Sequence, residues 1–497
     1  MSLVKASVVV CALTAFAMQS PAALAQVEGE VISKQYDDGS VYEGTFRNGR
    51  QHGTGTYTLP NGFEYTGEWA DGEISGQGKA RYPNGPVYEG QFVKGLPEGQ
   101  GKVIRADGST MEGTWVKGQL TGPGIARYAN GVVYEGTFTN GQHDGKGKIT
   151  DPSGRVYDGD WVMGAKQGQG KIAYADGATY EGGMVSGMRE GQGTLILPNG
   201  LTYVGAWAAG QQNGEGKLTQ PNGDIYEGMF VNGMREGKGK LTYASGAVYE
   251  GEFLKDRRHG QGIFRSTDGF SYEGSWVEER MEGTGSITYS DGSVYVGAMK
   301  GDLPDGEGAI TFPDGATFQG PWQQGMISGR GTASYANGLA YEGDFVRALP
   351  DGVGLMTYPN GYRYKGDWKA GQREGVATAT YPDGSVYKGG FKAGLRHGTG
   401  EMKMADGFVY AGDWVEGRMQ GQGVATYPTG DVYEGGFVED RREGQGTVRY
   451  ASGEVSSGIW RNNVLTAPET PPDAPATEGA GAEPAEAAEP AEPAPNP

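Results

Sequence analysis

Cysteine is nearly absent: the 497-residue chain has one, Cys11. Disulfides within the chain and thiolate metal sites therefore do not enter its chemistry. Positive charge is also short, with 42 Lys+Arg against 61 Asp+Glu and a net charge of −19. Nucleic acid and anionic membranes are poor partners for such a surface, because both need clustered cations. Apolar residues make up only 36% of the chain, too little for large layered domains of ordinary composition. One apolar run stands out, Val8 to Met18, and it is too short to span a bilayer comfortably. With Lys5 before it and Ala23-Leu24-Ala25 after it, the run reads as a signal peptide cleaved after Ala25. Cys11 would leave with it, since Val8-Val9-Val10 is no lipoprotein box.

Glycine is abundant instead, at 93 residues. Average usage would give roughly 35. The excess is periodic. From Tyr42, steps of 23 residues pass through Tyr65, Tyr134, Tyr226, Tyr341 and Tyr433 to Ser456, 18 intervals with no insertion. With each such residue as position 0, glycine fills position 2 in all 19 copies and positions 11 and 20 in all 18 units. It fills position 13 in 17 units, Ala377 being the exception. Gly44, Gly136, Gly228 and Gly435 represent position 2, Gly53, Gly145 and Gly444 position 11, and Gly62 position 20. These glycines are a structural framework rather than a flexible linker.

Each unit predicts a β-hairpin. Positions 0 to 5 alternate with period two, which places the rings of positions 0 and 4 on one face with the bare glycine of position 2 between them. Positions 7 to 11 read as a glycine-rich loop and 13 to 17 as the second strand. Asn or Asp at position 19, just before the glycine of position 20, occurs in 14 of 18 units and marks a tight turn to the next repeat. The fold class is all-β: an elongated, single-layer antiparallel array of eighteen repeats. About 37 strands at a spacing of about 4.8 Å give a sheet on the order of 170 Å long. The organisation is a signal peptide at 1–25, a half-repeat at 26–41, repeats at 42–455, a half-repeat at 456–466 and a Pro/Ala/Glu-rich acidic tail at 467–497. That tail has no aromatic or basic residue and is expected to be disordered, a spacer or a binding arm.

The pattern Y-E-G-x-[FW]-x-x-G-x-x-x-G-x-G-x-x-x-Y-x-[ND]-G, clear in Tyr134 to Gly154 and Tyr433 to Gly453, resembles the MORN (membrane occupation and recognition nexus) repeat. The resemblance covers about four-fifths of the chain. It implies stacked hairpins in a twisted, groove-like sheet, and a role in binding proteins or lipids rather than in catalysis.

No catalytic constellation and no cofactor or metal set is evident. His52, His143, His259 and His397 fall at position 9 or 10, in the expected loop, with the nearest two four units apart. At two strands per unit that is roughly 40 Å. Candidate binding residues are the tryptophans, all at position 4: Trp69, Trp115, Trp161, Trp207, Trp276, Trp322, Trp368, Trp414 and Trp460. They read either as packing rings or as platforms for glycans. A second candidate is Arg257-Arg258-His259, the part of an arginine-rich loop series with no acid following it. Elsewhere in that series Arg at position 9 precedes Glu at position 10, as in Arg189-Glu190, which suggests exposed salt bridging. The reading is an exported, non-catalytic scaffold for proteins, with cell-envelope glycan or phospholipid as the alternatives. Self-association through the open sheet edges is a further expectation.

Export has a direct test. Protein purified from its native host should have an intact mass that begins at Gln26, with no disulfide. A chain beginning at Met1 or Ser2 would contradict it.

Overall fold

Glycine at two facing positions decides how each repeat closes. The repeat of Tyr226 is representative. In the computed structural model, which describes residues 30–468, it forms strands Ile225–Val231 and Met234–Thr242 joined by Asn232-Gly233. Tyr226 pairs with Leu241 and Gly228 with Gly239. Beyond that pair the register shifts, and Phe230 faces Arg235. The next repeat adds its first strand, Val248–Leu254, with Gly251 on the other side of Gly239. Every position-13 glycine is thus flanked by position-2 glycines, and the bare strip so formed receives the tyrosine rings.

The ring of Tyr226 lies over Gly239. A Cβ there would come within 2.5–2.7 Å of three ring and hydroxyl atoms. Gly228 is crowded as well, with the Tyr226 hydroxyl 2.5 Å and Gly239 Cα 2.6 Å from a Cβ. The sequence pattern assigned the ring seat to position 2; the ring itself rests mainly on position 13, across the strand. Its hydroxyl donates to the carbonyl of Met229, at the register shift, over 3.0 Å. The same bond to position 3 recurs in Tyr134, Tyr203, Tyr295 and Tyr433, at 2.8–3.0 Å. It satisfies a carbonyl at the point where the bulge disrupts the ladder.

The rings then form a zigzag. Tyr226 meets Phe230 of its own strand at 5.2 Å and Phe253 of the next repeat at 5.0 Å, both edge to face. That geometry suits the ring quadrupoles. Position-0 tyrosines are 0–1% exposed and form the core of each repeat. In the repeat of Phe318, which lacks the hydroxyl, the position-3 carbonyl of Pro321 accepts the N–H of Ser328 instead. The second strand is split there into Met326–Ile327 and Gly329–Ser334.

The expected loop at positions 7 to 11 is a correction. Only positions 6 and 7 turn, both at positive φ (Asn232 at 51°, Gly233 at 84°), which is the two-residue hairpin turn that matches strand twist. The second strand starts at position 8, and the position-11 glycine (Gly237, φ 69°) sits inside it at the bulge. Position 17 lies just beyond the strand, in the five-residue connection closed by Tyr243 N–H to Ala247 O. Where position 7 is Asp, Glu or Asn, its side chain compensates for the αL cost; Ala348, at φ 66°, has no such bond. Asp256 and Asp302 accept the backbone N–H of Arg235 and Met281, position 9 of the preceding repeats.

The described residues divide into two units, one through Leu303 and one from Pro304. The first runs from strand Val31–Gln35 to Val294–Lys300 and the second continues to Val464–Pro468, each built of antiparallel strands paired in chain order. No helix occurs among the described residues. The signal peptide and all of the tail beyond Pro468 lie outside the described residues.

Burial pushes the hydroxyls of Tyr134, Tyr203 and Tyr226 up to about 12 from 10.0. A raised tyrosine favours the neutral form in the folded state, so its contribution is whole below pH 10 and is lost as pH rises through about 12. An alkaline titration followed by tyrosinate absorbance and circular dichroism should show ionisation of these tyrosines coinciding with loss of β-structure. Ionisation at pH 10 with the sheet intact would contradict ring burial.

Candidate binding face

The two faces of the sheet differ in chemistry. The outer face carries Lys at position 14 opposite Glu at position 1 of the next repeat, as in Lys217–Glu227 (3.0 Å) and Lys240–Glu250 (3.1 Å). These pairs are about half exposed and contribute little stability. At the hairpin tips the same face exposes apolar pairs such as Val185 with Met188 and Val346 with Leu349.

The ring face holds the tryptophans, and they are buried, 2–8% exposed. Each of the nine indole N–H groups donates to the carbonyl of the position-13 glycine one repeat back. Examples are Trp69 to Gly55, Trp161 to Gly147 and Trp460 to Gly446, at 3.3, 2.9 and 3.0 Å. With ring and N–H both engaged, the indoles offer no platform to a ligand. They are packing groups.

Position 9 lies on this face, beside the rings. In several repeats it is Arg, stacked between the tyrosine of its own repeat and the position-4 ring of the next. Arg189 lies 4.0 Å from the Trp207 ring centroid, Arg258 4.3 Å from that of Trp276, and Arg442 4.2 Å from that of Trp460. These are close cation–π contacts. The guanidinium also donates to the following turn, as in Arg189 to the Gly210 carbonyl at 2.7 Å. The neighbouring acid does something else. Glu190 accepts the backbone N–H of Ala209 in the next turn at 2.9 Å, and Glu236 and Glu443 do the same for Lys255 and Asn462. The expected Arg-Glu salt bridging within a loop is therefore replaced by two separate locks between repeats.

Arg257-Arg258-His259 does not form an open cationic patch. Acids arrive from the following turn: Glu278 pairs with Arg257 at 3.2 Å and Glu279 with Arg258 at 2.6 Å. His143 is likewise no exposed loop residue. It stacks on Tyr134 at 3.6 Å, meets the Tyr128 hydroxyl at 2.8 Å, and burial lowers it to about 4. Among the described residues no three His, Cys, Asp or Glu side chains gather as a metal site.

Beside the arginine row runs a shelf of half-exposed tyrosines at position 17, including Tyr82, Tyr243, Tyr381 and Tyr427. In some repeats a second ring at position 21 joins it, giving Phe63–Tyr82 at 5.6 Å, Tyr362–Tyr381 at 5.2 Å and Phe408–Tyr427 at 5.4 Å. The period-two pattern puts these tyrosines inside a strand, whereas they lie just beyond it and are half-exposed. Position 9 was missed as a column because its identity varies from Pro97 and Leu120 to Lys166 and Arg373.

A repeated antiparallel hairpin array whose ring face combines buried aromatics with half-exposed tyrosines defines a β-repeat protein. The MORN repeat family matches the chain in eighteen segments, from 42–63 and 65–87 through 410–432 and 433–455. The chain belongs to the MORN repeat family. Alsin of Rattus norvegicus is 45% identical over 49 residues, 9% of this chain and 3% of that protein, so the chain spans only a small part of the relative's length. Among solved structures, the SAS-4 TCP domain of Drosophila melanogaster, in complex with a proline-rich motif of Ana2, aligns at 15% identity and TM-score 0.22. That alignment covers 36% of this chain and 90% of the other. The TCP10 domain of Danio rerio CPAP aligns at 18% identity and TM-score 0.21, over 44% and 93% of the two chains. Likenesses at such scores carry no argument here.

Proposed function

We propose that the chain is an exported, non-catalytic scaffold that binds extended protein segments along the tyrosine shelf of its ring face. The observation that carries this reading is the shelf itself, with half-exposed Tyr side chains beside a row of stacked Arg. Tyr and Arg dominate protein interfaces because they present large, rigid surface with polar tips. The backing rings and glycines hold them in fixed order, which lowers the cost of binding. A glycan reading has only the shelf left for its platforms, since the indoles are enclosed. A phospholipid reading meets a net charge of −19, which disfavours anionic membranes.

The chain from its native host, with bound exported proteins recovered by crosslinking, provides the test. Replacing Tyr381 and Tyr427 by Ser should weaken partner binding at least tenfold, the scale of about 1.4 kcal/mol or more for hot-spot rings. Replacing Val346 and Leu349 on the outer face by Ser should leave binding within about twofold. Binding that survives the shelf variant, or saturable binding to cell-wall sacculi or anionic liposomes in its place, would overturn the reading.

A further inference from the structure

We propose that the ring face of the second unit is the docking site for the chain's own C-terminal segment, with Glu483, Glu486, Glu489 and Glu492 meeting Arg373, Arg396 and Arg442. The proposal shares with the preceding one the premise that the ring face takes extended segments.

Charge is the first observation. In the first unit Arg235 and Arg258 are matched by Asp256 and Glu279 at 3.3 and 2.6 Å, while Arg189 has only the Gly210 carbonyl. The three position-9 arginines of the second unit have no such partner: no carboxylate lies at ion-pair distance from Arg373, Arg396 or Arg442 among the described residues. Position 7 of the next repeat, which supplies the acid to Arg235 and Arg258, is here Gly394, Gly417 and Asn463. Each arginine donates to that residue's carbonyl, at 2.7, 2.7 and 2.9 Å, and Arg373 also donates to the Tyr362 hydroxyl. A guanidinium has five N–H donors, so several remain on each. On Arg442 the Nε is buried and has no partner. Residues 469–497 carry seven acids, eight prolines and no Lys, Arg or aromatic side chain.

Spacing is the second. Glu483, Glu486, Glu489 and Glu492 recur every third residue, in the run Glu-Pro-Ala, Glu-Ala-Ala, Glu-Pro-Ala, Glu-Pro. An extended polyproline II segment advances about 9.3 Å in three residues and returns each third side chain to one side. One repeat of the sheet advances two strands, about 9.6 Å. Arg373, Arg396, Met419 and Arg442 occupy position 9 of four consecutive repeats. Four carboxylates therefore fall in step with four repeats, three of which hold an unpaired guanidinium. Carboxylates take such forks in charge-assisted, often bidentate bonds. The prolines have Tyr358, Tyr381, Tyr427 and Tyr450 to lie against, as proline-rich segments do on aromatic surfaces.

Reach is the third. The last strand, Val464–Pro468, runs from the hairpin tip, where Val464 pairs with Arg461, towards the shelf side, where Pro468 pairs with Gly458. From Pro468 to Glu483 the chain spans up to about 50 Å when extended, and Arg442 lies within one or two repeats of that strand. The segment runs back along the array, Glu483 at Arg442 and Glu492 at Arg373, where it occupies the shelf that a partner needs.

A fluorophore on the full-length chain carrying C11S and A488C tests this by anisotropy. The expected result is a high, concentration-independent value that falls to that of an untethered segment in R373Q/R396Q/R442Q. It should fall equally in E483Q/E486Q/E489Q/E492Q, which leaves the array untouched. The docked fraction should drop at least about tenfold in each. Inserting one Ala after Glu486 keeps the charge but breaks the three-residue step, and should weaken docking as well. Low anisotropy in the parent chain, or indifference to the Gln variants or to the insertion, would overturn the proposal. A value that rises with protein concentration would overturn it in favour of the tail of a second copy. Absent docking combined with shelf-dependent partner capture defeats this inference alone. Docking with no shelf-dependent partner defeats only the scaffold reading.

Discussion

A tyrosine ring laid across a side-chain-free strip of backbone is the contact on which the rest of this structure depends. A single-layer sheet has no second layer to cover its rings. Here the sheet covers them itself: the ring rests on the position-13 glycine, is flanked by two position-4 side chains, and its hydroxyl bonds the carbonyl at the bulge. A Cβ at Gly239 would come within 2.5–2.7 Å of the ring; in the one repeat that carries such a Cβ, at Ala377, the Tyr364 ring keeps its seat, 0% exposed and bonded to the Asp367 carbonyl at 2.8 Å. Clearance for the ring, together with the close approach of the facing backbone at position 2, accounts for the near-invariance of the two glycine columns.

The same contact separates structure from recognition. With the position-0 tyrosines and the tryptophans enclosed, the chemistry of the ring face that varies from repeat to repeat falls to position 9 and position 17. Position 9 ranges over Pro97, His143, Arg258 and Met281 while each remains beside the rings. The array therefore keeps one framework and varies one row. The adjacent locks, Glu190 on the Ala209 N–H and its equivalents, tie turn to turn.

Much of this was legible in the sequence. The unbroken period, the glycine columns and the aromatic pair at positions 0 and 4 gave the hairpins, the face of the rings and the repeat family. The turn was not legible. Glycines at positions 7 and 11 around polar residues looked like a loop, yet position 11 is a bulge inside a strand. The true turn hides its signature, because position 6 holds Lys94, Met163 or Ser186 at positive φ and only some repeats show Asn-Gly. That error carried His143 and Arg258 into solvent, when both lie against rings. Partners of Arg258 come from 21 residues further on, a contact that spacing within one repeat cannot reveal.

The central claim is that ring and glycine are coupled, so that either change matters because of the other. A double-mutant cycle at Gly239→Ala and Tyr226→Leu tests it directly, read by hydrogen exchange of the amides in that repeat and its neighbours. Gly239→Ala alone should cost about 1–3 kcal/mol by overpacking the ring seat. In the Tyr226→Leu background, which opens the seat, most of that cost should vanish, leaving a coupling of about 1 kcal/mol or more. A cost for Gly239→Ala that is the same with and without the ring would contradict the account.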